Sequence, residues 1–379
     1  MIRTYKYRLR PTKKQAFILK DIFFQMQAVY NDALNERRWY WQRSRRSISY
    51  YDQWPRIRDE RHALPGEMGL LNATSIQQML RRVNKAYRKF YKEEKAGLPR
   101  FKSAKRFKSV EYKHGDGSKV KGDRLYIQYV GDIKIRLHRP IPEGAKIKHV
   151  VLKREQGHWY VALMLDIPDP KLEPQTGSAI GIDPGLHNLL ALSDGTLINN
   201  PRWLRNSLKE LRVANRRLSR RKRCSGGWYK AKRQVSKIHR RIANQRLDFY
   251  HKITTQLAQD YSFIATEKLR VGFMTRNRNL ALSAHDAALG MFRQMLEYKV
   301  EKTGARFVAV NPHNTTQMCS GCGEIVRKEL KNRTHECTEC GLVLDRDVNA
   351  ARNILRLGLS LEAPTYLVAD CVASEAPLL

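Results

Sequence analysis

Acidic residues are the scarce class in this 379-residue chain: 36 Asp and Glu stand against 72 Lys and Arg, a formal charge of +36. Solubility needs far less, so the excess points to a polyanionic partner. Long apolar runs are missing too. No stretch reaches the roughly 18 apolar residues of a spanning helix, mean hydropathy is −0.59, and no secretory apolar segment follows Met1. Membrane partners are thereby set aside, and a long or structured nucleic acid remains. The chain also lacks a GxxxxGK[ST] phosphate loop and any apparent Ser-His-Asp or Cys-His arrangement, so neither ATP-driven nor acyl-transfer chemistry is indicated. Cysteine is sparse, six in all. Cys224 and Cys371 stand alone, as free thiols do in a reducing cytosol.

The other four cysteines are concentrated. Cys319-x2-Cys322 and Cys337-x2-Cys340 flank fourteen residues, and a glycine closes each pair. Thiolates two residues apart on a turn can share one tetrahedral ion. Four of them fill the shell and leave no position for water, so the spacing predicts a structural Zn²⁺ ribbon and not a catalytic metal. Arg327, Lys328, Lys331 and Arg333, in the intervening loop, can offset the negative charge of a tetrathiolate. Two disulfides are the competing reading, disfavoured because nothing marks the chain as secreted. Next comes Asp345-Arg346-Asp347 before VNAARNILR, where an Asp can simply cap a helix.

From the start, residues 2–10 alternate as a half-buried strand, Pro11 stops the ladder, and Thr12 can cap a helix to about Arg43 with one apolar stripe. A second helix, about Thr74 to Lys95, sets Ile76, Leu80, Val83, Tyr87 and Tyr91 on one packing side, with Arg81, Arg82, Lys85, Arg88, Lys89 and Lys92 around it. From Gly97, short β-patterned runs separated by turn residues read as an antiparallel meander, a small barrel joined by the N-terminal strand. Residues 168–178, PDPKLEPQTGS, read as a linker. Beyond them SAIGID is a strand ending at Asp183, and YSFIATEKL a strand ending at Glu267. Residues 202–246 hold seventeen Lys or Arg and one acid, Glu210. Two apolar stripes broken at Ser225-Gly226-Gly227 predict an antiparallel helical hairpin there, with Arg216, Arg217, Arg220, Arg221, Lys222 and Arg223 free for phosphate. Such contacts position a strand without reading its sequence. A further helix is expected over Phe249–Asp260, and the stretch after Arg356 is expected to be a loosely ordered tail.

Asp183, Glu267 and the acid ahead of the last helix are too far apart in sequence for local contact. A parallel-containing sheet can gather strand ends and a helix start at one edge. Carboxylates so gathered repel and call for cations, two Mg²⁺ or Mn²⁺, which would serve phosphodiester hydrolysis.

GIDPG, the TEKL strand end, and the C-x2-C…C-x2-CG run followed by DRDVNAARNIL resemble the three RuvC blocks and zinc ribbon of the TnpB family, transposon-encoded relatives of type V CRISPR effectors. YKYRLRPTKKQ and GLPRFKS are also similar to it. The resemblance implies an RNA-guided DNA endonuclease of an insertion sequence, in the prokaryotic cytoplasm and nucleoid. It implies a monomer working with guide RNA from the transposon end and double-stranded target DNA beside a short motif. A nuclease-inactive guided regulator and a strand-joining transposase are the alternatives. The catalytic residues carried over are Asp183, Glu267 and Asp347, the last because it stands immediately ahead of x-N-A-A; Asp345 is then helper or cap. Gln77 matches a position near the target-adjacent motif. Lys268 departs from the family pattern, where many relatives have an acid or amide. The implied layout is an α/β RNase H-like (RuvC) core with inserted zinc ribbon plus an N-terminal β-barrel carrying an inserted helical module. Its parts are 1–11 first barrel strand, 12–96 helical recognition module, 97–170 remaining barrel, 171–317 nuclease core, 318–342 ribbon, 343–356 last helix and 357–379 tail.

Overall fold

A computed structural model describes residues 1–168, 177–269, 271–329 and 332–362. The chain divides into two compact units, Met1–Pro170 and Lys171–Leu379. Most of the 168–178 linker, the residues beyond 362 and Lys331 lie outside the described residues.

The first unit opens with β1 (Ile2–Arg10), then four helices, α1 (Lys13–Ser44), α2 (Tyr50–Ala63), α3 (Pro65–Met68) and α4 (Ala73–Lys92). Thr12 caps α1 in a reciprocal box with Gln15, and Leu19, Ile22, Phe23, Met26, Tyr30 and Ala33 are all buried as one stripe. The composition gave no warning of α2. It carries Pro55 inside it and buries only Gln53 and Ile57, so neither propensity nor periodicity marks it. Six strands follow: β2 (Ser109–His114), β3 (Gly117–Lys121), β4 (Arg124–Ile127), β5 (Gly131–Arg136), β6 (Lys146–Glu155) and β7 (His158–Asp166). With β1 between β5 and β7 they close a seven-stranded barrel. Closure removes every sheet edge that could recruit another chain. The barrel is not wholly an antiparallel meander: β2 and β3 pair in parallel, Lys113 with Gly117, across the turn at Asp116. Gly117 has a positive φ, and a Cβ on it would meet the Asn72 side chain at 2.6 Å.

The second unit is built on a sheet ordered β10-β9-β8-β11-β12, from β8 (Ser178–Pro184), β9 (Asn188–Leu192), β10 (Leu197–Asn199), β11 (Tyr261–Glu267) and β12 (Arg306–Val310). Strands β8, β11 and β12 are parallel neighbours, while β9 and β10 run antiparallel. Between β10 and β11 lie α5 (Trp203–Asn206), α6 (Leu208–Ser219) and α7 (Gly226–Asp260). Leu211 and Ala214 of α6 pack on Ile238 and Ile242 of α7, making the hairpin. The separate helix expected at 249–260 is instead the continuation of α7, which runs 35 residues without a break. Ser225 caps it, accepting from Trp228 N, so the Ser-Gly-Gly break is its first turn and nothing interrupts it later. Helices α8 (Val271–Arg276), α9 (Ala281–Ala287) and α10 (Leu289–Thr303) connect β11 to β12.

After β12 come the cysteine loops with β13 (Thr334–Glu336) and β14 (Val343–Asp345), then α11 (Arg346–Glu362). This helix runs past the end expected at 356. Its last turns still have sheet to cover, since Leu357 packs with Ala265 and Val310. Strand alternation decides the faces. Ile180, Ile182 and Ile264 turn to α7 and α10, whereas Ala179, Phe263 and Ala265 turn to α11. A Cβ on Gly181 would lie 2.1 Å from the Ala351 carbonyl oxygen, and one on Gly358 would lie 2.6 Å from Ala265 Cβ. Helix and sheet therefore touch through two glycines.

Gly181→Ala must push α11 off β8, at about 1–3 kcal/mol or more for an overpacked backbone contact. Calorimetric melting of the second unit should fall by several degrees, against little change for Gly272→Ala, where the added carbon meets nothing within 4 Å.

Candidate active site and metal centre

Parallel pairing sets Thr266 opposite Ile182, so the next residues along, Glu267 and Asp183, stand level at the ends of adjacent strands. Asp183 continues the series 179, 181 and Glu267 the series 263, 265, so both belong to the face that α11 covers. Helix α11 starts at that edge with Asp347 in its first turn. Asp183 is half-buried. Its carboxyl is pushed up to about 8, first by burial and then by repulsion from Glu267 and Asp347; Asp345 adds to this and Arg346 opposes it. Burial also pushes Glu267 up to about 7.

Asp347 is only 7% exposed. Arg346 donates to its Oδ1 at 3.1 Å and Arg333 lies 3.6 Å from Oδ2. Asp345 has the other job. Its Oδ1 accepts from the backbone N–H of Asp347 at 2.8 Å and of Val348 at 3.2 Å, which makes it the helix cap.

The four cysteines meet. Their sulfurs all lie within 4.8 Å of one another, and Cys319–Cys340 and Cys322–Cys337 are each 3.6 Å apart. A disulfide needs about 2.05 Å, whereas a Zn–S bond of about 2.3 Å gives a tetrahedral edge of about 3.8 Å. The set fits Zn²⁺. Gly323 and Gly341 both have positive φ, and their N–H groups donate to Cys319 O at 3.0 Å and Cys337 O at 2.9 Å, closing the two loops alike. Of the loop cations expected to offset the thiolates, Arg333 instead meets Asp347, and Lys328 lies against His335, a fully buried ring beside Cys319.

Among the described residues the thiols are the only such group within 4.8 Å. The three carboxylates stand further apart.

Sequence reasoning missed Asn349 and Asn353, both fully buried on α11. Asn349 accepts from Ser320 N at 2.9 Å and donates to Met318 O at 2.8 Å; Asn353 donates to Thr315 O and Met318 O. They tie the base of the cysteine loops to the helix that bears Asp347. Two asparagines four apart inside a helix, where Asn is a poor former, were the available signal. Asp286 was missed as well. It is 2% exposed and accepts from Leu204 N and Arg205 N, holding the start of α5.

Arg216, Arg217, Arg220, Arg221, Lys222 and Arg223 are exposed at the turn between α6 and α7. In the first unit Gln77 is half-buried on α4 and Lys85 exposed. Arg82 donates to Ser109, and Arg81 lies over the Tyr50 ring.

A model described as "Probable transposase" matches residues 162–278, and one described as "Cas12f1-like, TNB domain" matches 290–354. A "Helix-turn-helix domain" model matches 1–46, although β1 and one unbroken helix occupy that stretch. A Streptomyces pristinaespiralis protein named "Putative RNA-guided DNA endonuclease" is 36% identical over 369 residues, covering 95% of this chain and 90% of the relative. The Escherichia coli K12 protein of the same name, InsQ, is 28% identical over 395 residues, covering 100% and 96%. The Cas12f1–sgRNA–target DNA complex shares the fold at a TM-score of 0.56 and 15% identity, with 90% of this chain and 82% of that one aligned. The chain belongs to the TnpB family.

Because Asp183 and Glu267 hold protons in the folded state at pH values where a free carboxyl would not, stability without divalent cations should fall as pH rises from about 4 toward 8. Thermal melts in Mg²⁺-free buffer should show this fall in wild type and a shallower one in Asp183→Asn, with Mg²⁺ raising the wild-type value most at the alkaline end. For the thiols, elemental analysis should find about one zinc per chain, and Cys337→Ser should lose it together with the cooperative melting of the second unit.

Proposed function

We propose that this protein is an RNA-guided DNA endonuclease of an insertion sequence, its second unit an RuvC-type RNase H-like nuclease. The observation that carries the reading is the convergence of Asp183, Glu267 and Asp347, from β8, β11 and α11, on one sheet edge in a chain of charge +36. The guide would be RNA from the transposon end, the target double-stranded DNA beside a short motif.

Asp183 and Glu267 fit cation ligands: both are carboxylates at adjacent strand ends, burial raises both, and Asp183 also feels the negative charge of Glu267 and Asp347. Mg²⁺, or Mn²⁺, when bound there supplies the charge that holds a phosphodiester and lowers the pKa of water. Arg346 and Arg333 orient Asp347 toward that edge. Asp345, occupied with two backbone N–H groups, positions the helix and does no chemistry. The exposed arginines between α6 and α7 would hold phosphates of guide or target, while Gln77, Arg81, Arg82 and Lys85 on α4 would meet the duplex near the adjacent motif.

The ribonucleoprotein, purified with its own RNA and given matched plasmid DNA, should cut only with Mg²⁺ or Mn²⁺. Asp183→Ala, Glu267→Ala and Asp347→Ala should each lose about 10²-fold or more in rate, the scale of several kcal/mol of metal stabilisation, while still binding target. Cutting that persists in Asp183→Ala overturns the reading. Binding with no cutting by wild type would make the protein a guided regulator instead, and joined products a transposase.

A further inference from the structure

The first unit contains a cavity of about 480 Å³ between α1, the 45–49 connection and α4. That volume lies within the roughly 300–1,000 Å³ of small-molecule sites. Arg37, Arg38 and Trp41 of α1 line it with Tyr87, Arg88 and Tyr91 of α4.

Arg37 is only 6% exposed. Its Nε donates to Gln53 Oε1 at 2.8 Å and its Nη1 to Asn84 Oδ1 at 3.1 Å, both neutral amides, while its Nη2 is buried without a partner. The carboxylates in its surroundings are otherwise engaged. Glu36 accepts from Arg56 and Gln53, and Asp52 from Ser49. A guanidinium removed from water and left with an unused donor is unfavourable unless an acceptor reaches it. Its plane also lies against an aromatic wall: Cζ is 5.3 Å from the Tyr87 ring centroid, and the Tyr87 and Tyr91 rings are 6.1 Å apart at 33°. Tyr87, the ring against Arg37, is itself buried, but the rings further along the cavity wall are open, Trp41 at 51% and Tyr91 at 64% exposure. A cluster that served folding alone would bury Trp41 and Tyr91 as it buries Tyr87, and would pair the charge.

The occupant such walls suit is flat, π-rich and anionic or acceptor-edged. We propose that this cavity receives one unpaired nucleotide of a bound strand, its base stacked on Trp41 and Tyr91 and its acceptor atoms or phosphate met by Arg37 and Arg88. Base–aromatic stacking and Arg contact are the physical basis of single-strand binding. The inference rests on the reading that the chain binds nucleic acid, but not on its cutting any.

The test uses the full-length chain and fluorescent short oligouridylate or oligothymidylate, each with and without one central abasic site, followed by anisotropy over a salt series. Trp41→Ala/Tyr91→Ala should bind the intact strand about tenfold or more weakly. Its salt slope should be unchanged, because phosphate contacts remain. Wild type should prefer the intact to the abasic strand, and the double variant should not. Trp41→Phe, which keeps a stacking face, should retain most of the affinity and controls for folding. A photoreactive uracil in the strand should cross-link to the peptides bearing Trp41 or Tyr91. An effect confined to the uridylate assigns the nucleotide to RNA, one confined to the thymidylate to DNA. Unchanged affinity of the double variant for both strands, or cross-links only elsewhere, overturns the proposal. Because cutting is not the readout, loss of nuclease activity and loss of this site are told apart.

Discussion

The contact between α11 and β8 sets the geometry of the second unit. Gly181 lets the Ala351 carbonyl approach where any side chain would stand, and Gly358 does the same against Ala265 one strand over. With the helix seated this low, its first turn reaches the strand ends, and Asp347 comes within repelling range of Asp183. The two acids are supplied by segments more than 160 residues apart. Lift the helix, and the carboxylates belong to separate places.

The cysteine loops act through the same helix. Asn349 and Asn353 take hold of Met318, Thr315 and Ser320 at the root of the first loop, and Arg346 accepts alignment from the other side, its N–H donating to Arg333 O at 2.7 Å. Arg333, four residues before Cys337, also faces Asp347. These contacts limit how α11 can tilt, and an ion held by the four thiols would bear on the carboxylates only through this helix. The acids have the opposite character. Asp183 is held beside two other acids, and burial together with their repulsion favours its protonated form.

Some elements were readable from the chain and others were not, for identifiable reasons. Helix α1 carried both a capping box and a periodic apolar stripe, two independent signals that agree. Helix α2 has a capping box, Ser49 with Asp52, but no apolar stripe, and Pro55 argued against it; packing of Ile57 and the Gln53–Arg37 hydrogen bond hold it in place, and these depend on partners far along the chain. The break at Ser225-Gly226-Gly227 was correctly placed, yet the continuity of α7 beyond Phe249 was not seen. Its buried face changes partner there, from α6 through Ile242 to the sheet and α10 through Tyr250 and Leu257, so one helix shows two patterns. Asp345 and Asp347 could not be separated by residue type, since either can cap a helix. The structure assigns the backbone N–H groups to Asp345 and the arginines to Asp347.

By itself the sequence determined what is local or additive: the charge of +36, the basic hairpin, the cysteine pairs with their turn glycines, and the alternation and stripes of the longer elements. Such features depend on neighbours within a few residues, where chain geometry leaves little choice. Tertiary structure decided which distant residues meet. Parallel pairing of β8 with β11, the two-glycine seat of α11 and the buried, half-satisfied Arg37 against Tyr87 all arise from contacts between remote segments. Their positions follow from close packing and strand register, which no window of sequence contains.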